Sequence, residues 1–264
     1  MTAPRLVATD LDGTLLDSAR QVSPRTRAAL QRAAAAGAQI VIITARPPRN
    51  ILAIAEQAGV GGLALCSNGA LRYDLTAKTV TAASPLEPAT VGKLRDLLRE
   101  ALPDPLYAIE TGHGVLMEPG YPVLVPEDAP NRRHVADLWA ETEPVAKLLV
   151  RCEGHTSDEL FTAATAAVGE LAEITYSGIS SVLEISAPGV TKATALAALC
   201  AELGIAPEQV VAFGDMPNDL AVLAFAGHGY AMANSHPSVL AAIPRHTLSN
   251  DEDGVAAVLE TLYS

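Results

Sequence analysis

Apolar residues in this chain come in short unbroken runs, separated by polar stretches that carry glycine and proline. "RLVATDL" and "AQIVIITA" are too continuous in their hydrophobicity for half-exposed antiparallel strands, and predict buried parallel ones. Between them "SPRTRAALQRAAAAG" predicts a helix with both ends marked: Ser23 suits the N-cap, Pro24 the first helical position, and Gly37 the exit. "PRNILAIAEQAG" predicts a second helix and "GLALCSNGA" a third strand ending in polar residues. Such alternation predicts an α/β fold with a doubly wound, Rossmann-like parallel sheet and right-handed crossovers. The texture returns late in the chain, with helices over "KATALAALCAELG", "NDLAVLAFAG", "SHPSVLAAI" and "DGVAAVLETLY" and strands over "QVVAFGD" and "GYAMAN".

The middle reads differently. Prolines cluster in "PLEP", "PDP" and "EPGYPVLVPEDAP", and the runs "YAIET", "GVLME", "KLLVRCE", "EITYS" and "SVLEIS" look amphipathic. Two helices are expected, over 89–102 and 156–171. These features predict an α+β unit with a largely antiparallel sheet, residues 84–187, inserted into a discontinuous core of residues 1–83 and 188–264.

Composition and charge narrow the functional classes. A chain of 264 residues can bury a substantial core as one large or two modest domains. The net charge of −12 argues against a nucleic-acid backbone and gives no reason for binding an anionic membrane. A small anion remains compatible with a local cation or a metal. Cys66, Cys152 and Cys200 show neither a disulfide framework nor zinc spacing, and are expected as buried thiols in a reducing compartment. "MTAPR" leads straight into a strand, and no apolar run approaches membrane-spanning length, so a soluble, cytoplasmic protein is expected.

Ligands of open α/β sheets bind outside the carboxyl ends of the strands. There the sequence places Asp10 and Asp12, then Thr44, then Ser67 and Asn68, and finally Asp215 with Asn218 and Asp219 just beyond. Lys192 opens the helix before that last strand. Crowded carboxylates repel unless a cation joins them, and Asp10, Asp215 and a backbone carbonyl suit a hard ion such as Mg²⁺. An aspartate so held can attack phosphorus, with Thr44, Lys192 and backbone N–H groups as donors to the phosphoryl oxygens. Asp12, two residues on, suits a general acid for the leaving alkoxide and later a base for water. Asn68 with Gly69 reads as a turn former.

"DLDGT", "ITAR", "GVTKATAL" and "FGDMPND" together resemble the four motifs of the haloacid dehalogenase (HAD) superfamily. "SNGA" and the closing "YAMANSHPSVLAAI…LSNDEDGVAAVLE" resemble its Cof-type branch, subclass IIB, which carries a large C2-type α/β cap between the second and third motifs. The resemblance covers most of the chain. It implies Asp10 as nucleophile, Asp12 as acid/base, Thr44 and Lys192 as phosphate-binding groups, and Asp10, Asp12, Asp215 and Asp219 around the metal. It places Asn218 on the phosphate or as a holder of its loop. Arg46 is either a substrate contact or an exposed helix-start arginine. The family's second motif usually has Gly where this chain has Ala45, which is tolerable if the backbone there is not left-handed. Trp139 and the inserted tyrosines default to packing, His113 and His155 to the surface, and Arg132–Arg133 to a solvated pair. The expected activity is Mg²⁺-dependent hydrolysis of small phosphorylated metabolites. A phosphomutase of the same architecture and a non-enzymatic phospho-aspartate switch are the alternatives.

Overall fold

In the computed structural model, residues 3–177, 179 and 181–264 are described. Among them, thirteen strands form two sheets. In chain order they are β1 (Leu6–Thr9), β2 (Gln39–Ile43), β3 (Leu63–Cys66), β4 (Leu71–Asp74), β5 (Thr79–Ala83), β6 (Leu106–Glu110), β7 (Val115–Met117), β8 (Arg132–His134), β9 (Lys147–Arg151), β10 (Glu173–Thr175), β11 (Val182–Ser186), β12 (Val210–Gly214) and β13 (His228–Ala231). The principal helices are α1 (Pro24–Ala35), α2 (Leu52–Ala58), α3 (Pro88–Ala101), α4 (Ser157–Val168), α5 (Lys192–Leu203), α6 (Leu220–Phe225), α7 (Pro237–Ala242) and α8 (Gly254–Leu262).

The first sheet runs β13-β12-β1-β2-β3-β4-β5, parallel from β13 through β3. Its uninterrupted apolar strands are explained by cover on both faces. Leu6, Ala8, Val41, Ile43, Val210 and Ala212 pack with Leu196, Leu199 and Val222 on one side. Val7, Ile42, Val211 and Phe213 pack with Leu30, Val255 and Leu259 on the other. Each fully buried leucine or isoleucine here contributes roughly 2 kcal/mol of transfer free energy. The predicted cap on α1 forms, with the Ser23 hydroxyl accepting from the Thr26 N–H at 3.0 Å.

The second sheet runs β10-β11-β9-β6-β7-β8, antiparallel except between β7 and β8. Alternation along its strands separates two jobs. Tyr107, Ile109, Leu148, Val150, Leu183 and Ile185 pack under α3 and α4. Their neighbours Glu110, Lys147 and Glu184 point the other way, onto the first sheet's loops: Lys147 Nζ donates to the Ala45 carbonyl at 2.8 Å. Arg49, just before α2, binds both carboxylate oxygens of Glu110 at 2.7 Å and those of Asp128 at 3.0 and 2.9 Å.

Two elements lie outside the sequence expectation. The antiparallel β4–β5 hairpin extends the first sheet, yet every residue of β5 is exposed and so carries no hydrophobic period. β8 reads Arg-Arg-His, and its Arg132 is not solvated: that side chain is 8% exposed and sits 3.1 Å from Asp128. Trp139 packs edge-on against Tyr107 at 5.0 Å, and His113 and His155 are exposed, all as expected. The three cysteines are free and buried. Among the described residues no helix is long and apolar enough to cross a membrane.

Candidate active site

β1 delivers Asp10 to the carboxyl edge of the parallel sheet, where its N–H donates to the Phe213 carbonyl of β12 at 3.1 Å. The chain then turns sharply through Leu11–Leu15, closed by the Leu16 N–H on the Leu11 carbonyl at 2.9 Å. Buried Leu11 and Leu15 anchor that turn. Gly13 is obligatory for two reasons. Its φ is +72°, and a Cβ there would lie 2.3 Å from an Asp215 carboxylate oxygen. Thr14 follows and donates to Asp215 Oδ1 at 2.8 Å.

β12 delivers Asp215 to the same edge, and the turn Pro217–Asp219 returns Asp219 beside it. Asp219 Oδ2 accepts the N–H groups of Asp215 and Met216, both at 3.1 Å. Lys192 opens α5, where the helix dipole disfavours a cation. Two carboxylates offset that cost: Lys192 Nζ lies 2.7 Å from Asp219 Oδ1 and 3.1 Å from Asp10 Oδ1. Burial alone would strip the ammonium of its proton, but Asp10 and Asp219 raise its pKa instead, so it stays charged.

Asp10, Asp215 and Asp219 are all buried, with oxygens within 4.8 Å of one another. One ammonium faces three carboxylates, and the imbalance registers in their proton affinities. Burial pushes Asp10 well above the ordinary carboxylate range; Lys192 pulls against it, while Asp219, Asp215 and Asp12 add to the rise. Burial and the nearby Asp219 push Asp215 up to about 7, despite the bond from Thr14. An all-oxygen donor set with surplus negative charge fits a hard divalent cation, and offers neither imidazole nor thiolate to a softer one.

The other expected residues divide. Thr44 is buried at the end of β2, and its hydroxyl accepts the Arg46 N–H at 3.1 Å. Ala45 is not in the left-handed region, so its methyl is accommodated. Asp12, expected among the metal ligands, turns its carboxylate away from the buried group of three. It forms a bidentate pair with Arg46 at 2.7 and 2.5 Å. Arg46 is thus neither free for substrate in this arrangement nor a loose surface arginine. Asn218 donates to the Asn68 side-chain oxygen at 3.2 Å.

Asn68 does more than form the expected turn. The turn is real, with φ +57°, but the side chain is buried and donates to Glu184 at 2.5 Å and to Thr175 at 3.1 Å. Glu184 and Lys147 have no signal in the sequence, because a single acid or lysine in an amphipathic strand reads as its solvent face.

A family model for haloacid dehalogenase-like hydrolases matches residues 7–259. The pyridoxal phosphate phosphatase YbhA of Escherichia coli K12 is 31% identical over 262 residues, covering 96% of each chain. The 5-amino-6-(5-phospho-D-ribitylamino)uracil phosphatase YitU of Bacillus subtilis strain 168 is 28% identical over 283 residues, covering 100% of this chain and 99% of its own. A solved haloacid dehalogenase-like hydrolase from Bacteroides thetaiotaomicron superposes with a TM-score of 0.79 at 29% identity, covering 98% of this chain and 99% of that one. A sugar phosphatase of HAD subclass IIB, BT4131, shares the fold with a TM-score of 0.82 at 21% identity, covering 97% and 98%. The chain belongs to the haloacid dehalogenase-like hydrolases, as a phosphatase of their Cof-type branch.

Proposed function

We propose that this phosphatase hydrolyses monoesters of small phosphorylated metabolites, such as sugar phosphates or phosphorylated cofactors, through an aspartyl-phosphate on Asp10. The reading rests on one observation: three buried carboxylates closed by a single lysine at the carboxyl edge of a parallel sheet. Asp10, Asp215 and Asp219 would hold Mg²⁺, which supplies positive charge against the phosphoryl oxygens.

In this reading the chain's own residues divide the steps between them. An Asp10 oxygen attacks phosphorus as the ester oxygen leaves, and Asp12 gives that oxygen its proton. Asp12 then takes a proton from water, whose oxygen attacks phosphorus and frees Asp10 and inorganic phosphate. Lys192, the Thr44 hydroxyl and Asn218 receive the phosphoryl group. Arg46 holds the Asp12 carboxylate before substrate binds and must release it for Asp12 to carry that proton. Residues 84–187 act as a cap over a core of 1–83 and 188–264, excluding bulk water and selecting the leaving group. Buried free thiols and a small charged substrate fit a cytoplasmic setting. A net charge of −12 fits neither nucleic-acid nor membrane partners.

Phosphate release from an aryl phosphate is the direct test. Turnover is expected with Mg²⁺ and lost on chelation; robust turnover in chelator overturns the reading, and transfer to a sugar hydroxyl marks a mutase. The cation should also show in stability. Asp215, raised to about 7 when folded, keeps a proton that the unfolded chain has released above its ordinary value of 3.8. Metal-free protein therefore gains stability from this group as pH falls from about 7 toward 4, and loses it on the way up. Mg²⁺ needs the carboxylates ionised, so its increase in Tm should be larger at about pH 8 than at about pH 5.5. An equal Tm increase at both values counts against these carboxylates as ligands.

Asp12→Ala should spare a good leaving group more than a poor one, since an alkoxide needs protonation most. Equal losses of kcat on an aryl and an alkyl phosphate would remove Asp12 from the acid role.

A further inference from the structure

The turn after β2 has an unusual pattern of satisfied carbonyls. Three successive oxygens, those of Thr44, Ala45 and Arg46, each accept a hydrogen bond. Asn68 N–H takes the first at 3.0 Å and Ser67 N–H the third at 2.9 Å, both from within the first sheet's own loops. The middle one is taken across the gap between the two sheets, by Lys147 Nζ of β9 at 2.8 Å. A peptide unit is planar, so pinning the Ala45 carbonyl fixes the direction of the Arg46 N–H on the same plane. That N–H is the one that bonds Thr44 Oγ1 at 3.1 Å. The oxygen of the hydroxyl is thereby held as an acceptor, and its own proton is left to donate.

Lys147 is in turn held by Glu184, the next strand's inward carboxylate, at 2.9 Å. The same Glu184 oxygen accepts from Asn68 Nδ2 at 2.5 Å, and Asn68 Oδ1 accepts from Asn218 at 3.2 Å. One buried carboxylate thus reaches two separate loops of the site, one through a lysine and one through an amide. The remaining Glu184 oxygen is occupied by Ser177 Oγ at 2.6 Å, from the loop after β10, so its orientation is set from the second sheet's own side.

We infer that Glu184 is a positioning residue of the phosphatase site: it directs Lys147 and Asn68, and through them orients the Thr44 hydroxyl and the Asn218 amide. This rests on the reading of Thr44 and Asn218 as phosphate contacts. Seating of the second sheet then does more than cover the site. It completes the phosphoryl-binding loops, which without Lys147 would lack one of three carbonyl restraints.

The test compares Glu184→Gln, Lys147→Met and the double variant with wild type, each per folded molecule by thermal melt. The readouts are kcat, KM and inhibition by inorganic phosphate. A small misplacement of reacting groups costs up to about a hundredfold, so each single variant should lose roughly 10- to 100-fold in kcat and bind phosphate more weakly. The double variant should lose little more than Glu184→Gln, because that substitution already cuts the path through Lys147. A purely structural Glu184 would lower Tm yet leave kcat and phosphate inhibition within about twofold of wild type, and would overturn the inference. Losses that multiply as for independent sites overturn it too. Lys147→Met keeps the test open if Glu184→Gln does not fold. An Asp10→Asn control separates the two failures. If that variant still turns over, the phosphoryl chemistry itself is wrong. If it is inactive while the Glu184 and Lys147 variants match wild type, only the positioning role falls.

Discussion

Asp10→Asn is expected to lower kcat by at least about four orders of magnitude, with the fold intact. The substitution keeps the shape of the side chain and its backbone bond to Phe213. It removes the nucleophilic oxygen, and the neighbouring buried acids are committed elsewhere. Asp215 accepts from Thr14, and Asp219 is held by Lys192 and two backbone N–H groups. The variant should also fail to trap phosphate covalently in a rapid acid quench, where wild type retains some on the protein. Stability should not fall, because the change relieves charge: Asp10 lies among other carboxylates, and burial already raises its proton affinity. Steady turnover within a hundredfold of wild type would rule Asp10 out as the nucleophile.

Lys192→Met should remove activity and stability together. Its side chain is 1% exposed, and its ammonium faces Asp10 and Asp219. Deleting one partner of a buried ion pair leaves uncompensated charge, at a cost of about 3–5 kcal/mol. The loss should be read by urea unfolding in chelator at about pH 8. The direction with pH is also determined. Without the lysine, the folded carboxylates hold protons more tightly still, so the variant regains stability as pH falls and its deficit narrows toward about pH 5. Activity should fall by at least about a thousandfold even where the variant is folded, since the phosphoryl charge loses its fixed cation. A folded, active Lys192→Met would show that this balance of charge is not what holds the site.

The parallel strands, the capped helix after Ser23 and the strand-end positions of Asp10, Thr44 and Asp215 are legible in the sequence. Each rests on local information: a run buried on both faces, a hydroxyl before a proline, an acid where hydrophobicity stops. β5 and β8 are not legible there, because neither strand depends on burying a periodic face. β5 is exposed throughout, and Arg132 in β8 is held by Asp128.

The site divides along the same line. The chain alone determined which residue types arrive at the carboxyl edge of the sheet, since strand ends and motif spacing are properties of neighbouring residues. Only the tertiary structure decided how they pair. It turned Asp12 onto Arg46, left Asp10, Asp215 and Asp219 as the buried group, and brought Glu184 from β11 to Asn68, 116 positions away. The Glu184–Asn68 pairing depends on the close packing of two sheets, where a buried charge must find a partner across space. Nothing in the residues flanking Glu184 states which partner that will be.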